Sequence, residues 1–510
     1  MKAKLTFLLI FTFALLSFNA CKDSKDDDDL GKEMTDDEYT NRWIYNKMKS
    51  LYLWNTDLPA SPDFTQESKP FFRSILFRYG NVNGDRFSWI EEDKSKETKS
   101  LFAEPNLGFE YIPMSYFATG VEKESSSLGF FVVYVHKGSD AESKELKRGQ
   151  VIYKVNGTDV DYDNYKDIFD GKTSLTLSVY DNDGAKTTLR TIQASEKKKS
   201  PVFISKVIPN TKIGYLMYNG FERGPDEEDE NNFEYDIQLM QSIQSLYSQG
   251  ITDLVLDLRY NPGGYLTSAI DLASALYPGR TGKIFAREKY NKHFEDSLLA
   301  KYNNDKSIFD DYFLEKAYNT DVTIPKSKLT RLYIIAAEYS ASASELVLHN
   351  LRPYMTVYHI GETTVGKDKA SMTVDSKDSR IKWQIQPLIS RLSDVDGNGN
   401  YINGLTPDKR VSEWAEGYTM QRAIYSDGSE TEIPSLSMWI GGLAELGEPS
   451  EPLLAEAIYH IQTGSFRPNV KSTTLPSKTS VRVPRIQHNN ESRQRIIIDA
   501  DRFSDSRKNK

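Results

Sequence analysis

The chain has 510 residues, a formal net charge of -9 and 38% hydrophobic residues, which excludes a single small domain and leaves material for several packed cores. The acidic balance removes the electrostatic case for nucleic acid, so no such partner is expected. The one cysteine, Cys21, excludes an intrachain disulfide framework and a cysteine-held metal cluster.

Residues 1–20 carry Lys2 and Lys4, an apolar run from Leu5 to Phe18, and Asn19-Ala20 just before Cys21. A charged start, an apolar stretch and a small residue at the cut read as an export signal. The run is too short for a permanent membrane span. The pattern resembles a bacterial lipoprotein signal, with Phe18 where that family carries leucine. The resemblance implies that Cys21 is lipidated and anchors the chain to the lipid bilayer of the cell envelope, at the outer membrane, on its periplasmic or surface face. An ordinary cleaved signal with an incidental Cys21 is the alternative. The acidic run Lys22–Asp29 reads as part of a disordered tether over residues 21–34, solvated by its own charge. It resembles the export tag of surface lipoproteins in the Bacteroidetes group; a plain linker is the alternative.

Residues 35–104 read as an N-terminal helical domain. Thr35 is a helix cap before Asp36-Asp37-Glu38, and Trp43, Ile44, Met48, Leu51, Tyr52 and Trp54 follow at helical spacing until Pro59 and Pro62. Helix and loop are expected from Glu67 to about Phe102. Residues 105–196 change to β character, with strand-like runs at 107–112, 129–135, 151–155 and 174–180, a turn at Asn156-Gly157 and a short helix over Asp163–Phe169. The strings Gly138-Ser139-Asp140-Ala141-Glu142 and Leu146 to Gly157 resemble a PDZ domain. That family binds extended peptide ends by strand addition, and the resemblance implies Leu107-Gly108-Phe109 as the carboxylate-binding loop. Lys197-Lys198-Lys199 is a linker.

Residues 202–412 alternate strand and helix, the signature of an α/β domain. Ile213–Leu216 and Ile251–Leu258 are strands. Phe233–Tyr247 is a helix with Ile237, Met240, Ile243 and Leu246 on one face, closed by Gly250. Residues 224–232 and 281–328 read as surface insertions. Residues 413–465, with Trp414, Trp439, Leu443 and Leu453–Ile461, read as mainly helical, and residues 466–510 as a disordered tail.

Two strand–turn–helix units carry the chemistry. In Asp257-Leu258-Arg259-Tyr260-Asn261-Pro262-Gly263-Gly264, paired glycines opening a helix leave amides unshielded at its positive end, suited to hold an oxyanion. In Arg331–Lys367, an apolar strand leads to Ser340-Ala341-Ser342-Ala343-Ser344-Glu345, and a second, Met355–Ile360, leads to Gly361-Glu362-Thr363-Thr364-Val365-Gly366-Lys367. A hydroxyl at such a turn is an exposed nucleophile. A lysine serves as its base only when burial brings its pKa from about 10.4 toward neutrality.

These three motifs, in this order, resemble the tail-specific, or C-terminal processing, serine peptidases of family S41. The resemblance covers roughly residues 35–412. It implies a multidomain α/β protein: an N-terminal helical domain, a PDZ-like β domain, and an α/β protease domain of the ClpP/crotonase-like kind. It implies a Ser342–Lys367 dyad, with Gly263 or Gly264 and Ala343 donating to the oxyanion and a polypeptide as substrate. No cofactor or metal is implied. Many members carry a glutamine four residues after the lysine to orient it; here Ser371 stands there and becomes the candidate orienter. Ser340 and Ser344 remain alternative nucleophiles, and His349 or His359 alternative bases. A binding lipoprotein without turnover, taking peptides or glycans on the same fold, is the rival reading. The run Asp394-Val395-Asp396-Gly397-Asn398-Gly399-Asn400 imitates the start of a calcium loop but has Leu405 at the twelfth position, so a polar turn is expected there.

Overall fold

The structure is a computed structural model, and it describes residues 34–93, 106–116, 127–180, 187–195, 200–225, 229, 231–413, 420–424, 430–434, 443–468 and 496–498. The signal, Cys21, nearly all of the acidic tether, Trp414 and Trp439 lie outside the described residues.

The first helix runs Asp36–Leu51, with Thr35 Oγ1 accepting from the Glu38 amide at 3.1 Å. Its Ile44 and Met48 pack with Phe71 and Phe72 of the helix Ser68–Ser74. The expectation of helix and loop from 67 to 102 needs correction. A strand, Trp89–Glu92, pairs antiparallel with Trp383–Gln386 and stitches this unit to the α/β domain. Its partner lies far along the chain, and a four-residue strand has no local signature of its own.

Residues 106–195 form an antiparallel sheet in the order Phe109–Tyr116, Ser127–Val135, Val151–Val155, Ser174–Tyr180 and Thr187–Gln193. Phe130, Ile152, Leu175, Leu177 and Ile192 are its core. The helix expected at 163–169 is a run of turns. Asp161 Oδ1 takes the amides of Asp163 and Asn164, both at 2.9 Å, an alternative to helical pairing that short polar side chains offer.

The α/β domain has two sheets. The first runs Lys409–Arg410, Thr356–Gly361, Arg331–Ala336, Asp253–Asp257, Ile213–Tyr218, Val202–Val207, all parallel except the last strand. Helices Glu234–Ser248, Leu266–Leu276 and Ala343–Asn350 bury Leu239, Ile243, Leu272 and Leu346 in one core. The β domain and the helix Pro452–Thr463 share a second core with this sheet, through Phe131, Tyr215, Tyr333 and Leu454. The second sheet runs Gly264–Tyr265, Ile496–Ile497, Lys369–Ser371, Leu388–Ser393, Ile284–Tyr290, Asp310–Tyr312.

That order corrects three expectations. Residues 281–328 are not a surface insertion: they supply two strands of the second sheet and the buried Phe285, Phe313 and Ile324. Residues 413–465 are not mainly helical: a hairpin, Met420–Ile424 with Glu430–Pro434, precedes the single helix there among the described residues. The tail is not wholly unstructured, because Ile496–Ile498 sit inside the second sheet. Three consecutive β-branched residues fit a pleated, half-buried surface wherever a sheet leaves a place for them.

Candidate active site

Ser342 caps the helix Ala343–Asn350 with φ +64° and ψ -116°, backbone that a residue with a side chain adopts at a cost of about 1–3 kcal/mol. Its surroundings hold it there. The Ser342 amide donates to Glu345 Oε2 at 2.8 Å, the Leu346 amide donates to the Ser342 carbonyl at 2.8 Å, and the Ala341 amide donates to the Asn261 carbonyl at 3.2 Å.

The three serines of the motif separate by their partners. Ser340 Oγ donates to the Leu258 carbonyl at 2.7 Å and accepts from the Ala337 amide at 2.9 Å. Ser344 Oγ donates to the Asn261 carbonyl at 3.0 Å. Both fasten the serine turn to the Asp257–Gly264 turn. Ser342 Oγ makes no hydrogen bond among the described residues, but it is buried, which corrects the exposure expected of a hydroxyl at such a turn.

Glu345 ties the serine to the lysine. Its carboxylate accepts from the amides of Ser342 (2.8 Å), Gly366 (2.7 Å) and Lys367 (2.8 Å) and from the Thr364 hydroxyl. Burial pushes this carboxyl above the usual range, while these hydrogen bonds pull it down. Burial disfavours the charged form and is the larger effect, and the four donors oppose it only in part. Gly366 has φ +92°, and a Cβ there would lie 2.4 Å from the Ile402 carbonyl oxygen, so the residue before Lys367 must be glycine. Lys367 is 1% exposed, and its Nζ lies 5.2 Å from the centroid of the Phe87 ring.

The glycine turn is more committed than its sequence implies. The Gly263 amide donates to Asn261 Oδ1 at 2.9 Å, so in this conformation it serves its own turn. Gly264 has φ +143°, and a Cβ there would lie 2.1 Å from the Phe221 carbonyl oxygen; only glycine fits. Asn261 is the hub of both turns, since its side-chain amide also donates to the Tyr218 carbonyl at 2.8 Å.

Ser371 is buried and accepts from Gln386 Nε2 at 2.9 Å. A buried glutamine thus stands beside the candidate orienter, brought by the strand Trp383–Gln386 rather than by the lysine strand. The histidines are engaged elsewhere: the His359 ring bonds the Ala336 carbonyl at 3.1 Å and the His349 ring bonds Asn350 Oδ1 at 2.8 Å. Burial lowers His359 to about 4. In the loop that imitates a calcium site, Asp394 Oδ1 accepts from the Asp396 and Asn398 amides at 2.9 and 2.8 Å, which makes it a self-capped turn. In the β domain, Gly108 has φ +80°, its amide donates to Asn106 Oδ1 and its carbonyl accepts from the His136 amide.

Residues 212–411 match the model for "Peptidase family S41", and residues 39–89 match that for "Peptidase S41 N-terminal domain". Both segments belong to peptidase family S41. A "Probable CtpA-like serine protease" from Staphylococcus aureus (strain MRSA252) is 24% identical over 352 residues, covering 65% of this chain and 62% of the relative. One of the same description from Staphylococcus haemolyticus (strain JCSC1435) is 22% identical over 371 residues, covering 68% and 66%. The chain thus spans a little under two thirds of the length of these relatives. Among solved structures, a "Putative S41 protease" from Bacteroides fragilis NCTC 9343 has 22% identity and a TM-score of 0.60, covering 83% of this chain and 97% of that one. That likeness supports the fold.

The S41 N-terminal segment closes over the S41 core at the lysine. Asp85 accepts from the Tyr52 hydroxyl at 2.8 Å and the Ser88 amide at 2.8 Å. Arg86 then donates to the Gly366 carbonyl at 3.2 Å and the Ile402 carbonyl at 3.0 Å, and Phe87 faces Lys367. A further buried set joins the β domain to the S41 core. Arg259 binds Asp257 (2.7 Å), Glu451 (2.7 Å) and Glu413 (3.2 Å), while Arg148 of the β domain binds Glu413 (2.7 Å) and the Tyr260 hydroxyl (2.7 Å). Sequence reasoning assigned no role to Glu345, Phe87, Gln386, Arg148 or Glu413. Only Glu345 had a local signal, a serine followed three residues later by glutamate, which is the capping-box spacing.

Proposed function

We propose that the protein is a serine endopeptidase that cleaves polypeptides with Ser342 as nucleophile and Lys367 as general base. The observation that carries this is the division of labour among the three serines. Ser340 and Ser344 spend their hydroxyls on the scaffold, and Ser342 alone keeps its hydroxyl uncommitted at a strained turn. Glu345 supports the pairing, because one carboxylate fixes the backbone of both Ser342 and Lys367.

Ser342 Oγ would attack the scissile carbonyl while its proton passes to Lys367 Nζ, and the lysine would then return a proton to the leaving amine. The amides of Gly264 and Ala343 would hold the oxyanion, joined by Gly263 on release from Asn261. Lys367 is buried, and burial disfavours a charged amine, whereas the Phe87 ring face attracts its ammonium form. Free-state hydrogen bonds at such sites tighten only with substrate bound, so the free Ser342 hydroxyl is compatible with this role. Ser371, held by Gln386, is proposed to orient the lysine.

The β domain is read as PDZ-like, with Leu107-Gly108-Phe109 receiving a chain end. Cys21 is read as the lipidated residue that holds the protein to the outer membrane, on the acidic tether. Among the described residues no helix is long and apolar enough to cross a membrane. The test incubates purified protein with a disordered polypeptide and identifies the products by mass spectrometry. Cleavage by the intact chain and none by Ser342→Ala supports the assignment; equal cleavage by both removes it.

A further inference from the structure

The second sheet contains a gap one strand wide, and the chain's own tail fills it. Gly264–Tyr265 follows the oxyanion turn, and Lys369–Ser371 follows Lys367; the two do not pair with each other. Ile496–Ile497 lies between them, parallel to both, with Gly264 opposite Ile496 and both Tyr265 and Ser371 opposite Ile497. The Ile498 amide then donates to the Ser371 carbonyl at 3.0 Å. One face of the inserted strand is fixed by Ile498, which is 1% exposed and joins the core that holds Ala343, Ala370 and Ile389.

Two properties make this place a peptide site rather than a fixed part of the sheet. Both walls belong to the segments that carry the candidate oxyanion donors and the candidate base, so a strand here lies level with the reacting groups. Its first described residue stands opposite Gly264, so the strand begins beside the candidate oxyanion turn. Recognition uses backbone pairing on both edges, which any extended chain supplies, plus one apolar pocket on one face. The chain reaches the pocket with an aliphatic run, Ile496-Ile497-Ile498, set between Arg495 and Asp499.

We propose that Ile496–Ile498 is a built-in competitor for the peptide-binding strand site: the chain's own tail occupies the place of an extended polypeptide carrying an aliphatic side chain at the Ile498 position. The tail and the incoming polypeptide exclude one another, so free activity depends on the tail leaving. This rests on the serine-peptidase reading, yet it can be tested without turnover.

The test measures binding of a fluorescent peptide with the sequence of residues 490–503 to the full-length Ser342→Ala chain and to full-length Ser342→Ala/Ile498→Asp, both checked for folding by thermal unfolding. The tail-weakened chain is expected to bind at least tenfold more tightly, and a peptide bearing Ile498→Asp is expected to lose that binding. Equal affinity for the two chains overturns the proposal. Should Ile498→Asp unfold the protein, hydrogen exchange in full-length Ser342→Ala decides. Saturation with the isotopically labelled peptide is expected to speed exchange at the chain's own Ile497 and Ile498 amides at least tenfold, and unchanged protection overturns it. In the intact enzyme, Ile498→Asp is expected to raise kcat/KM for a disordered polypeptide several-fold. A binding difference between the two Ser342→Ala chains, with no turnover by either the intact chain or its Ile498→Asp variant, would count against the serine-peptidase reading and leave the tail assignment standing.

Discussion

At the scale of residues, the site separates groups that hold the scaffold from groups left to react, and substitution can tell them apart. Ser340→Ala and Ser344→Ala each remove buried hydrogen bonds and are expected to cost about 1–3 kcal/mol of stability while keeping most turnover. Ser342→Ala loses no hydrogen bond and is expected to leave thermal stability unchanged or raised, with turnover falling at least about 10³-fold. Calorimetry beside a cleavage assay reads both. From sequence the three serines were equivalent by chemistry, and only the family spacing favoured Ser342; the distinction lies in carbonyls of Leu258 and Asn261, which reach the serines from the turn that follows another strand. His359 gives a pH prediction. Its folded value of about 4 lies below the unfolded value near 6.5, so the unfolded state binds the extra proton between them. Stability is therefore fully present above about 6.5 and lost as pH falls toward 4, by up to about 3 kcal/mol. His359→Gln is expected to flatten that part of the stability–pH curve in denaturant titrations.

At the scale of elements, two strand–turn–helix units lean on each other where Ser340 and Ser344 bond the Leu258 and Asn261 carbonyls, and Glu345 ties the second unit together from within. Glu345→Ala would leave three amides and a hydroxyl buried without their acceptor, and is expected to destabilise by at least about 3 kcal/mol and to reduce kcat more than KM changes, because the Ser342 and Lys367 backbones lose their shared anchor. Urea unfolding and steady-state kinetics check this. The parallel strands and the helices at 234–248, 266–276 and 343–350 were legible, since long apolar periodic runs dictate their own structure. Short strands were not. Trp89–Glu92, Asp310–Tyr312 and Ile496–Ile497 gain their place from partners far along the chain, and local propensity does not carry that information.

At the scale of the whole molecule, the candidate active site is assembled from three separate parts of the chain: the N-terminal segment over Lys367, the S41 core, and the β domain reaching the Asp257–Gly264 turn through Arg148. Arg148 and Glu413 lie 265 residues apart in sequence, which is why no reading of the sequence could pair them. Removing one member of a buried ion set costs more than removing both. Arg148→Met is expected to destabilise by about 3 kcal/mol, and Arg148→Met/Glu413→Leu by less than that, in a double-mutant cycle followed by thermal unfolding. The central claim is that Lys367 is the base for Ser342. The direct measurement is kcat/KM for cleavage of a disordered polypeptide from pH 5 to pH 10, for the full chain and its Lys367→Ala variant. The account predicts a rate that rises with pH along a single deprotonation in the intact enzyme, and in Lys367→Ala a rate lower by at least about 10³-fold with that rise gone. An unaltered profile in Lys367→Ala would contradict it.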